Sequence, residues 1–350
     1  MTVADMPLPD TLRMSASAHY VAALAEVLDE FGFPREDSLS ICGTTRRAVE
    51  QDPSARIGLD CVCRMFGAAQ DRLGDPQIGL RAGHRFRIAG YGKTGSIYAY
   101  ADDLADVVAL NARYQRLAVD MGRIGLEVAE DGQAVCFDPY YSDRMAYRHL
   151  SAMLMGAYVT AFRWLSWSSG QELVRVDMPY PEPADGGALA RKLLRCPARF
   201  GARTGRLVLS HEAMAEPLPL SDAEKRARTI AQLDAMMGAS DARQSFHRAV
   251  RGAMRGGLEA GRLTLPMLAE RMEMSEKTLR ARLREAGLTY RGELDGVRQS
   301  LTVELMERGE SFASIAGALG YNDQAAFNRA FRRWHGMSPG QWTPPDRRDP

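Results

Sequence analysis

Two sets of long cationic and small side chains recur at helical spacing near the C-terminal end of this 350-residue chain. Lys277, Arg280, Ala281 and Arg284 form one set at i, i+3, i+4, i+7, and Ala325, Asn328, Arg329 and Arg332 form the other. Residues so spaced share one face of an α-helix. Thr278 stands beside the first set and Gln324 beside the second. A helix just fits the major groove of duplex DNA, where long donors reach base edges or phosphates and small side chains allow close approach. The chemistry these faces imply is recognition by charge and hydrogen bonding, with no catalytic residue among them.

Such faces must be held by short, well-started helices. The segment LTLPMLAERMEMSEKTLRARLREAG places Leu268, Ala269 and Met272 on one helix, then a turn, then Leu279, Leu283 and Ala286 on a second helix with Ser275 as N-cap. SFASIAGALGYNDQAAFNRAFRRWHG repeats the plan with Ile315, Ala316 and Leu319, a turn at Gly320, then Phe327, Ala330, Phe331 and Trp334. Each reads as a helix-turn-helix, at about 265–286 and about 312–335, with a linker helix at about 290–307. A plain helical bundle with solvated basic faces is the competing reading; two such elements in tandem argue against it.

Composition frames this picture. With 45% hydrophobic and 25% charged residues the chain holds one to three domains with proper cores. No apolar run of membrane-spanning length and no secretory layout is evident, so a cytoplasmic protein is expected, without membrane association. Five cysteines, at 42, 61, 63, 136 and 196, make no disulfide framework and fit a reducing compartment. Net charge is +1 overall, but residues 241–350 carry 18 Arg and Lys against 14 Asp and Glu, so the basic excess lies with the two motifs.

Upstream, helical patterns run over about 18–31, 58–73 and 102–118, followed by a β-hairpin of Arg123–Ala129 and Ala134–Phe137 turning at Asp131-Gly132. A very apolar helix spans 143–168; short strands at 173–178 and 205–209 flank a helix near 185–195. A charged helix near 222–237 ends at the breaker cluster Gly238-Ala239-Ser240-Asp241. The fold expected is an α+β N-terminal domain, residues 1–240, followed by an all-α C-terminal domain, residues 241–350, with two helix-turn-helix motifs joined by a linker helix.

The second motif resembles the DNA-binding domain of the AraC/XylS family of bacterial transcription regulators, in Ile315-Ala316, Leu319-Gly320-Tyr321, Asp323-Gln324, Phe327, Arg329-Ala330-Phe331, Trp334, Gly336 and Ser338-Pro339. The resemblance implies two recognition helices entering successive major grooves, with Arg329 and Arg280 as leading candidates for base contacts and Lys277, Gln324, Ala325 and Asn328 beside them. Three features depart from the family pattern. Glu273 stands where the first turn usually has Gly, Ala281 where the first recognition helix usually has Arg, and Gly292 and Gly296 interrupt the linker helix. Looser matches, above all Cys196-Pro197 and Arg199-Phe200-Gly201, resemble the arabinose-binding-domain-like effector domain of one subgroup. That implies small-molecule sensing and homodimerisation in residues 1–240, and a regulator, read as an activator of a metabolic operon, that works with promoter DNA and RNA polymerase.

Other signals are set aside. Gly90-Tyr91-Gly92-Lys93-Thr94-Gly95 fits a dinucleotide pattern but follows the basic RAGHRFRI instead of an apolar strand, so no nucleotide cofactor is expected. Cys61 and Cys63, with Cys42, complete no metal-ligand spacing and read as buried structural thiols, and the six histidines are isolated. In the helix at 143–168, apolar residues at helical spacing mean core, with Met155, Tyr158 and Phe162 as candidates for an effector pocket. The runner-up class is an alkyl-transfer repair protein fused to a helix-turn-helix, yet Arg195-Cys196-Pro197 lacks the following His that would activate a thiolate.

Overall fold

Short apolar runs in 122–139, 173–177 and 205–209, with 198–199 at one edge, build a five-stranded sheet whose Val135, Phe137, Val176, Leu207 and Leu209 lie in the N-terminal core. The computed structural model describes residues 14–141, 145, 147–167, 173–261 and 263–342, and the chain divides into two units, Met1–Met237 and Gly238–Pro350. In the first unit β1 (Ser15–Ser17), β2 (Arg56–Gly58) and β3 (Val119–Asp120) make a small antiparallel sheet in the order β2-β1-β3. The larger sheet comprises β4 (Gly122–Ala129), β5 (Gly132–Pro139), β6 (Leu173–Asp177), β7 (Ala198–Arg199) and β8 (Gly205–Leu209). Its order is β4-β5-β8-β6-β7, with β6 and β7 parallel and the other pairs antiparallel. Ala129 pairs with Gly132, so the hairpin turns on Glu130-Asp131, one residue earlier than the Asp131-Gly132 signal suggests. Gly132 belongs to the strand, where a Cβ would stand 2.1 Å from the Leu209 carbonyl oxygen.

The helices of this unit are α1 (Ala18–Glu30), α2 (Arg35–Ile41), α3 (Arg46–Gln51), α4 (Leu59–Leu73), α5 (Ile78–Arg85), α6 (Lys93–Ala99), α7 (Leu104–Tyr114), α8 (Arg148–Ser166), α9 (Ala188–Leu194), α10 (His211–Ala215) and the first part of α11 (Ala223–Glu259). The backbones of α5 and α8 touch. A Cβ on Gly83 would meet the Met153 carbonyl oxygen at 2.1 Å, and one on Gly79 the His149 carbonyl oxygen at 2.3 Å, so only glycine permits this approach. Along α8 Met153, Met155, Tyr158 and Phe162 are buried, but Trp164 and Trp167 at its end are exposed, which departs from a helix that is core throughout. Part of the 143–168 reading lies outside the described residues.

Helix α11 does not stop at Gly238–Asp241. Leu233 is buried in the first unit's core, with Ile230, Met236 and Met237 against it, while Val250, Met254 and Leu258 are buried in the second. Apolar anchoring on both sides outweighs the roughly 1 kcal/mol that a helical glycine costs. The second unit continues with α12 (Leu265–Arg271), α13 (Glu276–Glu285), α14 (Tyr290–Glu307), α15 (Phe312–Ala318), α16 (Gln324–His335) and a 3-10 turn at Pro339–Gln341. Its described residues contain no strand. Leu268, Leu279, Leu283, Leu301, Ile315, Leu319, Phe327 and Phe331 share its core.

Candidate nucleic-acid interface

Both motifs close their turns with the same backbone hydrogen bonds. Met272 N donates to Leu268 O, Glu273 N to Glu270 O and Met274 N to Ala269 O; Leu319 N, Gly320 N and Tyr321 N donate to Ile315 O, Gly317 O and Ala316 O. The turn residue is left-handed in each, φ 53° at Glu273 and 71° at Gly320. The departure at Glu273 therefore leaves the turn's geometry intact and costs the first motif strain that the second avoids. Side-chain caps then start the second helices. Ser275 Oγ accepts from Thr278 N at 3.1 Å and Asp323 Oδ1 from Ala326 N at 2.6 Å. One residue, Met274, separates turn from cap in the first motif, and two, Tyr321 and Asn322, in the second.

Leu279 and Leu283 of α13, and Phe327, Ala330 and Phe331 of α16, face the core. The opposite faces are open: Lys277, Thr278, Arg280, Arg284, Gln324, Ala325, Arg329 and Arg332 are exposed, and Ala281 and Asn328 are half-buried. Among the described residues Lys277, Arg284, Arg329 and Arg332 have no ion-pair partner, whereas Arg280 lies 4.0 Å from Glu276 one turn earlier. The Thr278 hydroxyl is engaged with Ser275 Oγ at 2.8 Å, so it contributes to the cap as well as to the face. Counted from the caps, Ala281 stands where the second helix has Arg329, and Arg284 where it has Arg332. The first face thus presents its cations on either side of a small residue.

The linker helix α14 organises this unit. Arg298 Nε donates to the Leu319 carbonyl at 2.9 Å and its guanidinium lies over the Tyr321 ring, holding the second turn. Arg333 on α16 reaches Asp295 at 2.9 Å. From α11, Arg255 grips Glu304 through two bonds of 2.7 Å, and His247 meets Glu293 at 2.6 Å. The Arg255 guanidinium holds the Glu304 carboxyl below its usual range. Burial raises the Glu293 carboxyl, but His247 and Arg251 together bring it below the ordinary value. The positioning role of Arg298 is invisible to a search for exposed basic faces, because its signal is a single Arg among the apolar residues Val297 and Leu301 of the linker. Gly292 is accommodated at the start of α14, where a Cβ would crowd the capping Thr289 hydroxyl at 2.8 Å.

In the first unit Met155, Tyr158 and Phe162 line the buried side of α8. The Tyr158 hydroxyl accepts from Asn111 Nδ2 at 3.4 Å, and Asn111 Oδ1 accepts from the Tyr98 hydroxyl at 2.9 Å, a short polar chain within an apolar core. The glycine-rich 90–95 segment packs on itself: the Thr94 hydroxyl donates to Tyr91 O at 2.6 Å, and a Cβ on Gly95 would stand 2.0 Å from Ile88 O. Among the described residues no group of three His, Cys, Asp or Glu is arranged to hold a metal, and no helix is long and apolar enough to cross a membrane.

Residues 32–218 match the family model described as the arabinose-binding domain of AraC transcription regulators, and residues 268–344 match a helix-turn-helix domain. The chain belongs to the AraC family of transcription regulators. Its relatives include the ornithine utilization regulator of Pseudomonas aeruginosa, 24% identical with 92% of this chain and 94% of that one covered. The HTH-type transcriptional regulator VirS of Mycobacterium tuberculosis is 27% identical, covering 84% of this chain and 86% of that one. The crystal structure of the transcriptional regulator CdpR from Pseudomonas aeruginosa aligns with 91% of this chain and 97% of its own at 21% identity and a TM-score of 0.44. Like other AraC-family members the chain is a DNA-binding transcription regulator, and its relatives are regulators rather than enzymes. The alkyl-transfer alternative has no support in this family, and Cys196 is a buried thiol that burial pushes up to about 11.

Proposed function

We propose that this regulator is a cytoplasmic homodimer that activates a metabolic operon when a small molecule occupies residues 1–240, by inserting α13 and α16 into successive major grooves of promoter DNA and engaging RNA polymerase there. The observation that carries the reading is the pair of cap-started helices whose outward faces hold Lys277, Arg284, Arg329 and Arg332, cations with no ion-pair partner among the described residues. Charges left free in this way are available to phosphates and to guanine edges. Arg329 is assigned to a base edge, as is Arg280 on leaving its 4.0 Å contact with Glu276, Lys277 and Arg284 to phosphate, and Gln324, Ala325, Asn328, Arg332, Thr278 and Ala281 to the surrounding contact. We assign the effector to Met155, Tyr158 and Phe162 on the buried side of α8, next to the hydrogen-bonded chain of Tyr98, Asn111 and Tyr158. Ornithine utilization, in the name of one relative, is consistent with a catabolic effector.

Titration of the full chain against its selected DNA site tests the assignment. Arg329→Ala should cost about 1 to 3 kcal/mol and relax one base position, whereas Lys277→Ala should weaken all sequences alike and lower the salt slope by about one. Unchanged affinity and sequence preference for Arg329→Ala would remove that residue from the readout.

A further inference from the structure

The two edges of the five-stranded sheet are built differently. Strand β7 has two residues and follows Pro197, whereas β4 runs for 8 residues, GRIGLEVA, without proline or lysine, and pairs with β5 with no shift of register. Short strands, prolines, lysines and bulges are the usual means of keeping an edge from pairing with another chain, and β4 has none of them. Beyond β4 no further strand lies among the described residues. Tyr140 N donates to Met121 O at 3.0 Å, which makes Gly122 and Pro139 a non-hydrogen-bonded pair. The alternation then turns the backbone N–H and C=O groups of Ile124, Leu126 and Val128 away from β5. Their side chains share one face of the sheet, where Ile124 is buried but Leu126 is 39% and Val128 88% exposed.

We infer that β4 is the dimer contact of this regulator: the β4 strands of two copies pair antiparallel about a two-fold axis at Gly125 and join their sheets into one. The inference rests on the homodimer proposed above and assigns its surface. Charge selects the register. Arg123 and Glu127 lie on the other face of β4, and with the axis at Gly125 each Arg123 stands opposite Glu127 of the second copy, a stabilising cross-strand pair. An axis at Ile124 or Leu126 would set both opposite uncharged residues, and an axis at Arg123 or Glu127 would bring like charges together. Within each copy Arg123 is paired with Asp138 at 2.9 Å and Glu127 with Arg206 at 2.9 Å. Strand pairing extends these into a row of alternating sign: Asp138 and Arg123 of one copy, then Glu127 and Arg206 of the other. Ile124 exchanges backbone hydrogen bonds with Leu126 of the second copy. Val128 comes beside Gly122, whose carbonyl already accepts from Gln115 Nε2 at 3.0 Å, leaving the Gly122 N–H to meet the Val128 carbonyl. Such a contact uses the same surface on both copies and closes at two.

Sedimentation velocity of the full chain over a range of concentrations tests the surface. The parent should be a dimer, and Leu126→Lys combined with Val128→Lys, at two exposed positions, should be a monomer with an unchanged urea transition. Glu127→Lys replaces two opposite-charge pairs by two like ones and should weaken the dimer about tenfold. Trp164→Lys combined with Trp167→Lys, which alters the exposed tryptophans at the end of α8, should stay as dimeric as the parent. If the β4 double variant unfolds, Val128→Lys alone, at the more exposed position, should still weaken the dimer. Lysine variants of β4 that fold and dimerise as well as the parent would overturn the assignment and leave the homodimer standing. Loss of the dimer in the folded tryptophan variant would overturn it in favour of a contact at α8. A parent that stays monomeric at every concentration would overturn the homodimer reading itself, and this surface with it.

Discussion

The guanidinium of Arg298 lies 4.4 Å from the centroid of the Tyr321 ring, and the same side chain is hydrogen-bonded to the carbonyl just before the second turn. One residue of the linker helix therefore fixes the geometry of a turn that it precedes by more than twenty positions. A stacked cation and a charge-assisted hydrogen bond together are worth about 2 to 3 kcal/mol. Arg298→Ala should destabilise the second unit by about that amount, and Arg298→Lys, which keeps charge without the planar stack, should fall between it and the parent. Urea unfolding of the full chain followed in the second unit's transition measures this. An Arg298→Ala protein as stable as the parent would show that the turn holds itself.

Glu273 adopts a left-handed backbone conformation that costs an L-residue about 1 to 2 kcal/mol and glycine almost nothing. Glu273→Gly should therefore raise stability by roughly 1 kcal/mol after allowing for the greater freedom of glycine in the unfolded chain. Thermal unfolding is the measurement; a lower midpoint would mean that the glutamate side chain contributes more than its backbone costs.

The 18 residues of α14 span about 27 Å, suited to recognition helices one DNA turn, about 34 Å, apart. Inserting about five base pairs between the two boxes of a half-site turns the second box to the far face, and inserting about ten restores the face but moves it about 34 Å away. Both insertions should reduce binding to that of a single box in gel shifts at fixed salt. Recovery at ten base pairs would identify the linker as flexible, with Gly292 and Gly296 the residues responsible.

His149 on α8 is buried, hydrogen-bonded to Gln70 Oε1 at 3.0 Å, and its imidazole is pushed down to about 4 by burial and by Arg148. Unfolded, it protonates near 6.5. The native state thus holds its full advantage above about pH 6.5 and loses it as the pH falls toward 4, by about 2 kcal/mol between pH 7.5 and 5. Urea midpoints at those two pH values should show this loss in the parent and a smaller one in His149→Gln. Equal losses in both would place the responsible group elsewhere.

The second unit was legible because its helices carry period-3.6 apolar stripes, and Ser275, Gly320 and Asp323 mark starts and stops that local chemistry dictates. In the first unit α1, α4, α7, α8 and α9 were legible from helical periodicity, and β4, β5, β6 and β8 as short apolar runs bounded by turn signals. The strands β1, β2 and β3 have two or three residues each, and pairings such as Ala16 with Ile57 and Ala16 with Val119, far apart in the chain, create them, which no local pattern announces. Helix α5 was missed for a related reason: Gly79 and Gly83 lower its helical propensity, yet contact with α8 requires them. The positioning role of Arg298 depends on how α14 meets a turn.

The unequal turns constrain any exchange of reading heads between the two motifs. A transplant of α16 into the first motif that superimposes Asp323 on Ser275 brings Phe327 and Phe331 to the seats of Leu279 and Leu283 and sends Arg329 outward at the Ala281 position. Superimposing Gly320 on Glu273 instead slips the transplant by one residue, which rotates it about 100°. Ala326 and Ala330 would then occupy the leucine seats, and two phenylalanines would turn toward solvent. Specificity transplants in this chain should be indexed from the capping side chain.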